Sequence, residues 1–309
     1  MKKVVVIGSI NIDLVSRMST FPKIGETVIG KEFSMVPGGK GANQALAMAK
    51  LGLSVIMVGK IGNDAFGEKA LELLVKNKVN VANVEIESST FTGIASIHVN
   101  EEGSNSIVVI PGANSKVTPD FVRKHEEQIR NSDAIILQLE IPLESVLEAC
   151  EIAYAGGIPV ILNPAPACPL PDSIYNKIKI IIINESETQT LTGYSTDSYE
   201  SLTQAAQYFF KRGCNSVVFT RGESGANYIN TEDLTMVHVP PYPVNPVDTV
   251  AAGDAFIGGF TYAYLQYGSL EKAVKWGNAC GALACTKPGA QTSLPFLKEV
   301  LEIMGHNER

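Results

Sequence analysis

The chain has 309 residues and a formal charge of -7, with 45% hydrophobic and 18% charged residues, the balance of a soluble globular protein rather than a disordered or fibrous one. An acidic chain without a basic cluster gives a nucleic acid nothing to bind. Five cysteines, Cys150, Cys168, Cys214, Cys280 and Cys285, form no Cys-x-x-Cys pair, so neither a disulfide framework nor a zinc site is expected.

The opening run Val4 to Ile7 is too short for a signal peptide, and polar Asn11 and Asp13 follow at once. No apolar run approaches the ~20 residues that span a membrane. Together with thiols that read as reduced, this makes a cytoplasmic location the expectation.

Val4 to Ile7 has the uninterrupted apolar character of a buried parallel strand, with Gly8-Ser9 at its carboxyl end. Asn11 and Asp13 stand two apart, so in extended chain both point one way while Ile10 and Ile12 point the other. Either the pair serves a turn or it faces a ligand. Glu26 to Val36 holds β-type residues. Pro37-Gly38-Gly39-Lys40-Gly41-Ala42-Asn43-Gln44-Ala45 follows, and Leu46 to Leu51 reads as a helix ended by Gly52. The double glycine allows positive φ angles and close ligand approach. Neither a P-loop nor a Gly-x-Gly-x-x-Gly turn is present, which disfavours a dinucleotide enzyme.

Val55 to Val58 reads as a strand and Phe66 to Lys76 as an amphipathic helix. Between Phe91 and Ile110 the β-α alternation breaks. Ile94 to Val99 and Ile107 to Ile110 flank the polar turn Asn100-Glu101-Glu102-Gly103-Ser104-Asn105, a hairpin signal. With Thr27 to Val36 this predicts a small separate sheet, and two such excursions, at about 14–37 and 91–111, suit a lid.

Alternation resumes at Thr118-Pro119, a helix start with proline in the first turn. Strands are predicted over Ala134 to Leu139, Pro159 to Leu162, Ile178 to Ile183 and Val217 to Thr220, with helices over Glu144 to Ala155 and Ser201 to Lys211, and a short one ending at Gly193. The sum is one α/β domain over residues 1–309 with a mostly parallel sheet. Ligands of such sheets bind beyond the carboxyl ends of the strands. Asn11, Asp13, Glu140, Asn184, Glu187 and Thr220 are expected on that edge, although each taken singly has a structural explanation.

Asp248-Thr249-Val250-Ala251-Ala252-Gly253-Asp254 leads into an apolar segment ending near Gly268, read as a helix whose first turn lies near Ala252. A helix start offers unpaired N–H groups and partial positive charge to an anion. Ala251, Ala252 and Gly253 leave that backbone bare. Asp254 beside such an anion is a candidate general base, with a plain helix cap as the alternative.

Gly38-Gly39-Lys40-Gly41-Ala42-Asn43-Gln44-Ala45 and Asp248 to Asp254 resemble the two signatures of the ribokinase-type sugar kinases, the PfkB carbohydrate kinase family. Gly8 to Asp13, Gln138-Leu139-Glu140, Asn163-Pro164-Ala165-Pro166 and Lys287-Pro288-Gly289-Ala290-Gln291 extend the resemblance along almost the whole chain. It implies a three-layer α/β/α fold with a small β-sheet lid, and transfer of the ATP γ-phosphoryl group to O5 of D-ribose. By resemblance Asn11, Asp13, Gly39, Lys40, Gly41, Ala42, Asn43 and Glu140 hold the sugar, and Asp254 deprotonates the hydroxyl. The amides of Ala251, Ala252, Gly253 and Asp254 form the anion hole.

The same resemblance gives Asn184 and Glu187 to Mg²⁺ and the phosphates, and Thr220, Arg221, Gly222, Glu223, Ser224, Gly225 and Asn278 to the nucleotide. It gives Asp248 and Ser293 side chains, with carbonyls of Val250, Ala284, Lys287 and Gly289, to K⁺. Pro288 stands where the family often has a basic residue. The lid is expected to pair with its counterpart in a homodimer through the face bearing Ala95, Ile97 and Val99. A same-fold kinase for deoxyribose, fructose, another sugar or a nucleoside is the nearest alternative. A non-catalytic sugar sensor is the second, though its expected mark, loss of the base or anion pocket, is absent because Asp254 and Gly253 are present.

Overall fold

The computed structural model describes residues 1–307. Its first half carries β1 (Lys3–Ile7), β2 (Asn11–Arg17), β3 (Glu32–Gly38), α1 (Lys40–Lys50), β4 (Ser54–Gly62), α2 (Ala65–Lys76), β5 (Asn80–Glu87), β6 (Gly93–Val99), β7 (Asn105–Ile110), α3 (Pro119–Arg123), α4 (Glu126–Arg130), β8 (Ala134–Leu137) and α5 (Leu143–Ala155). The second half carries β9 (Val160–Leu162), β10 (Ile180–Ile183), α6 (Glu185–Thr192), α7 (Tyr199–Phe210), β11 (Ser216–Thr220), β12 (Ala226–Asn230), β13 (Val237–Val239), α8 (Ala252–Tyr267), α9 (Leu270–Cys285), α10 (Ala290–Ser293) and α11 (Leu297–Asn307).

Nine strands form one sheet in the order β13-β12-β11-β10-β9-β8-β1-β4-β5. From β11 to β5 neighbours run parallel, while β12 and β13 are antiparallel additions. The strands of its centre are uninterrupted Val, Ile and Leu because both faces are covered. Val4 and Val6 of β1 pack with α1, α8 and α9 on one face, whereas Val5 and Ile7 pack with α5 and α7 on the other. The result is the ribokinase-like three-layer α/β/α arrangement. Connections from β1 leave towards β4 on one side, with β8 on the other, so the strand order reverses between β1 and β8. A crevice opens at the carboxyl end of such a reversal.

A second sheet has the order β3-β2-β6-β7. Its strands begin at Asn11 rather than near Leu14, so Asn11 and Asp13 are themselves part of it, facing Gly93 and Ala95 of β6 in register. On the β3 side the expected start near Thr27 is corrected to Glu32, because β2 ends at Arg17, opposite Glu32, and residues 27–31 have no β2 residue left to pair with.

Three further differences have physical reasons. α1 begins at Lys40, not near Leu46: Gly39 turns the chain with φ 88°, and the Glu140 carboxylate accepts a bond from the Lys40 N–H at 3.1 Å, so the helix is started from outside its own sequence. β5 was not expected because its polar residues mark an edge strand whose pairing with β4 decides its form. β12 and β13 were likewise not anticipated, and they extend the sheet antiparallel beyond β11. Among the described residues no helix is long and apolar enough to cross a membrane.

Candidate active site

The site begins where α8 starts. Ala251 adopts a left-handed conformation, φ 61°, which turns the chain into the helix. Asp254 follows in the first turn and is buried. Gly258, one turn further on, lets α8 press against α1, since a β-carbon there would lie 2.5 Å from that of Ala47. That close crossing brings two amides of α1 to Asp254: Asn43 Nδ2 donates to Oδ2 and Gln44 Nε2 to Oδ1, both at 2.9 Å.

The anion hole is narrower than expected. The Ala252 N–H is already bonded to the Thr249 carbonyl at 3.2 Å, because the αL turn at Ala251 folds it back on the chain. Among the described residues neither Gly253 nor Asp254 has a protein acceptor for its N–H, and a β-carbon on Gly253 would meet nothing within 4 Å. These amides therefore face open space, with α8 behind them.

Around this point the structure collects carboxylates from distant parts of the chain. Burial first, then the charges of Glu140 and Asp254, push the Asp13 carboxyl up to about 7, with Lys40 acting against them. Burial opposes the charge on Lys40, but Asp254, Glu140, Glu187 and Asp13 together outweigh it and hold the ammonium above its ordinary range. Glu187 is raised by burial, against the Asn184 N–H and Lys40. One lysine thus balances four acids facing a single cleft.

Glu140 accepts from the Ser9 hydroxyl and from the Lys40 N–H, which ties the ends of β1 and β8 to the start of α1. Gly41 and Ala42 lie in that first turn, their N–H groups on Ser9. Asn11 Oδ1 accepts from Asn114 at 2.7 Å, leaving its own amide hydrogens for the cleft. Asn184 and Glu187 form a capping box at the start of α6: the Asn184 side chain accepts from Glu187 N–H while Glu187 accepts from Asn184 N–H. That is a structural use of both residues.

Thr220 to Gly225 forms a tight loop after β11, closed by Arg221 N–H on the Gly225 carbonyl at 2.8 Å, with Gly222 and Gly225 at positive φ. Within it Arg221 reaches the Asn227 side chain, and Glu223 and Ser224 are exposed. Asn278 of α9 donates to the carbonyls of Val239 and Pro240, holding the Pro240–Val247 segment that leads back to α8.

Asp248 joins two loops, accepting from Val250 N–H at 3.0 Å and Gly289 N–H at 2.9 Å. Ser293 is buried and donates to Ala290, and the Ala284 carbonyl accepts from Lys287 N–H. The donors at these loops are carboxylate, hydroxyl and carbonyl oxygens, the atom type a hard cation takes. For a divalent ion, among the described residues no three His, Cys, Asp or Glu side chains converge. A hydrated Mg²⁺ keeps several waters and needs few protein oxygens, so a site for it requires no such cluster.

The sequence profile described as pfkB family carbohydrate kinase matches residues 1–297. The chain belongs to this family of carbohydrate kinases. The kinase is 39% identical over 305 residues to the ribokinase of Haemophilus influenzae, covering 99% of both chains, and 40% identical over 306 residues to the deoxyribokinase of Salmonella typhi, again covering 99% of both. It superposes on the Arabidopsis thaliana ribokinase complexed with ribose and ATP with a TM-score of 0.93 at 32% identity, covering 98% of this chain and 99% of that one. It is an ATP-dependent sugar phosphotransferase of the ribokinase type.

Three residues of this carbohydrate kinase carry more of the site than their types suggested. Gln44 of α1, Gln138 just after β8 and Asn163 just after β9 lie buried beneath Asp254, bonded amide to amide. Asn114 fixes Asn11 from a short 3-10 turn that follows β7, and no spacing pattern marks it.

Proposed function

We propose that this kinase transfers the γ-phosphoryl group of ATP to O5 of D-ribose, giving D-ribose 5-phosphate and ADP. The observation that carries the reading is the Asp254 carboxylate, gripped by Asn43 and Gln44 at the start of α8 beside the open N–H groups of Gly253 and Asp254. Asp254 takes the proton of O5 as the O5–phosphorus bond forms and the bond from phosphorus to the ADP oxygen breaks. The amides of Ala251, Gly253 and Asp254 meet the charge that develops on the phosphoryl oxygens. Asn11, Asp13, the Gly39 to Asn43 turn and Glu140 hold the sugar, with the Asp13 carboxylate accepting two ring hydroxyls.

Lys40, held protonated by its four acidic neighbours, offsets their repulsion of a polyphosphate. Asn184 and Glu187 hold Mg²⁺ through its water shell; when bound, the ion neutralises phosphate charge. Thr220 to Gly225 and Asn278 take the nucleotide. Asp248, Ser293 and the carbonyls of Val250, Ala284, Lys287 and Gly289 take K⁺, whose charge steadies the loop before α8.

The chain works as one domain with β2, β3, β6 and β7 as its lid. Phe33, Ile107, Val109 and Ile110 are exposed on that sheet, which supports a homodimer that covers them. Ala95 is buried and Ile97 and Val99 are half-buried already. Five free cysteines, three of them buried, support a cytoplasmic setting.

Deoxyribose is the second reading, favoured by relatives named deoxyribokinase at 40% identity. ATP consumption with ribose, deoxyribose, fructose and adenosine separates the two. The highest kcat/KM is expected with ribose; a preference for deoxyribose selects the second reading, and no turnover with any of the four rejects both.

A further inference from the structure

Beneath Asp254 runs a chain of buried amides whose direction is set from the β10 end. The Ile182 carbonyl in β10 can only accept, so Asn163 turns its Nδ2 towards it at 3.1 Å. Asn163 Oδ1 then faces Gln44 Nε2 at 3.2 Å, and the same Nε2 donates to Asp254 Oδ1 at 2.9 Å. At the other end Gln138 Nε2 donates to Gln44 Oε1 at 2.6 Å. Gln138 Oε1 is buried against Gly8, where a β-carbon would lie 2.1 Å away, and has no hydrogen-bond partner of its own. Flipping Gln44 would set its oxygen against two oxygens and its NH₂ against another NH₂.

We propose that Gln44 is a positioning residue for phosphoryl transfer, its amide locked by Asn163 and Gln138 so that only N–H groups face Asp254. This rests on Asp254 being the base, as proposed above. Gln44 and Gln138 are 0% exposed and Asp254 is 6% exposed, so the bonds act in a medium of low dielectric where their direction matters. With Asn43 on Oδ2 and Gln44 on Oδ1, each carboxylate oxygen has one donor and keeps a lone pair for the incoming hydroxyl proton. Because only N–H groups meet Asp254, no neighbouring oxygen repels the carboxylate or competes for the proton it takes. Neither Gln138 nor Asn163 needs to touch the sugar to do this.

The test compares Gln44→Leu, Gln138→Met and Asp254→Asn in the full chain, reading kcat and sugar KM, with calorimetric sugar binding to show that each variant is folded. Gln44→Leu is expected to lower kcat about 10- to 100-fold, the worth of one hydrogen bond to a charged group. It should leave sugar KM within about threefold, the split between KM and kcat that marks a residue acting through the base. Gln138→Met, which leaves every bond to Asp254 in place, should lower kcat the same way by less. It decides the matter if Gln44→Leu does not fold. Unchanged kcat in the folded variants, with Asp254→Asn inactive, overturns the relay and leaves the base standing. Full turnover in Asp254→Asn overturns the base, and the relay with it.

Discussion

The Asp13 carboxylate occupies the space that a side chain at position 38 would need: a β-carbon on Gly38 would lie 2.4 Å from each of its oxygens. β2 and β3 pair with Asn11 opposite Gly38, so this crowding is built into the register of the lid sheet. Gly38→Ala must therefore push Asp13 out of place. The expected result is a sugar KM raised about tenfold or more with a smaller change in kcat, and a loss of about 1–3 kcal/mol of stability from overpacking. Steady-state kinetics with a denaturant titration checks both.

Asp13 also sets a pH dependence. Its carboxyl is raised to about 7 in the folded chain, against about 3.9 in the unfolded one. Between those values the folded state binds more protons, so this group's stabilisation is full below about pH 4 and is lost as pH rises towards about 7. Asp13→Asn should remove that slope, making the variant more stable than the parent at pH 8 and similar to it near pH 4.5, as thermal melts across pH would show. Sugar binding runs the other way, because the ionised carboxylate is the acceptor: KM for the sugar should rise about tenfold per pH unit below about 7.

Much of this was legible in the sequence. The parallel strands followed from unbroken Val and Ile runs, the lid hairpin from its polar turn, and the start of α8 from bare residues after a proline-rich stretch. The Gly38-Gly39 pair suggests positive φ and close approach: Gly39 does take φ 88°, whereas Gly38 instead makes room for Asp13. The amide chain under Asp254 escaped notice because Gln44, Gln138 and Asn163 lie 94 residues apart at one step and further at others, and meet only through the strand order. The start of α1 was misjudged because its first N–H is capped by Glu140, 100 residues away.

At the loop before α8, Asp248 holds Val250 and Gly289 together. The kinase is expected to turn over faster in K⁺ than in Na⁺. Asp248→Ala should abolish that difference and lower kcat about tenfold, since two hydrogen bonds to a charge are lost along with the cation. Equal rates in the two salts for the parent protein would contradict the cation assignment.

The base at the start of α8 is tested most directly by Asp254→Asn, an isosteric change at a side chain already held by two amides. Calorimetry should show D-ribose still binding, while single-turnover phosphoryl transfer falls by about 10² to 10⁴. Transfer at near the parent rate with binding intact would contradict the account.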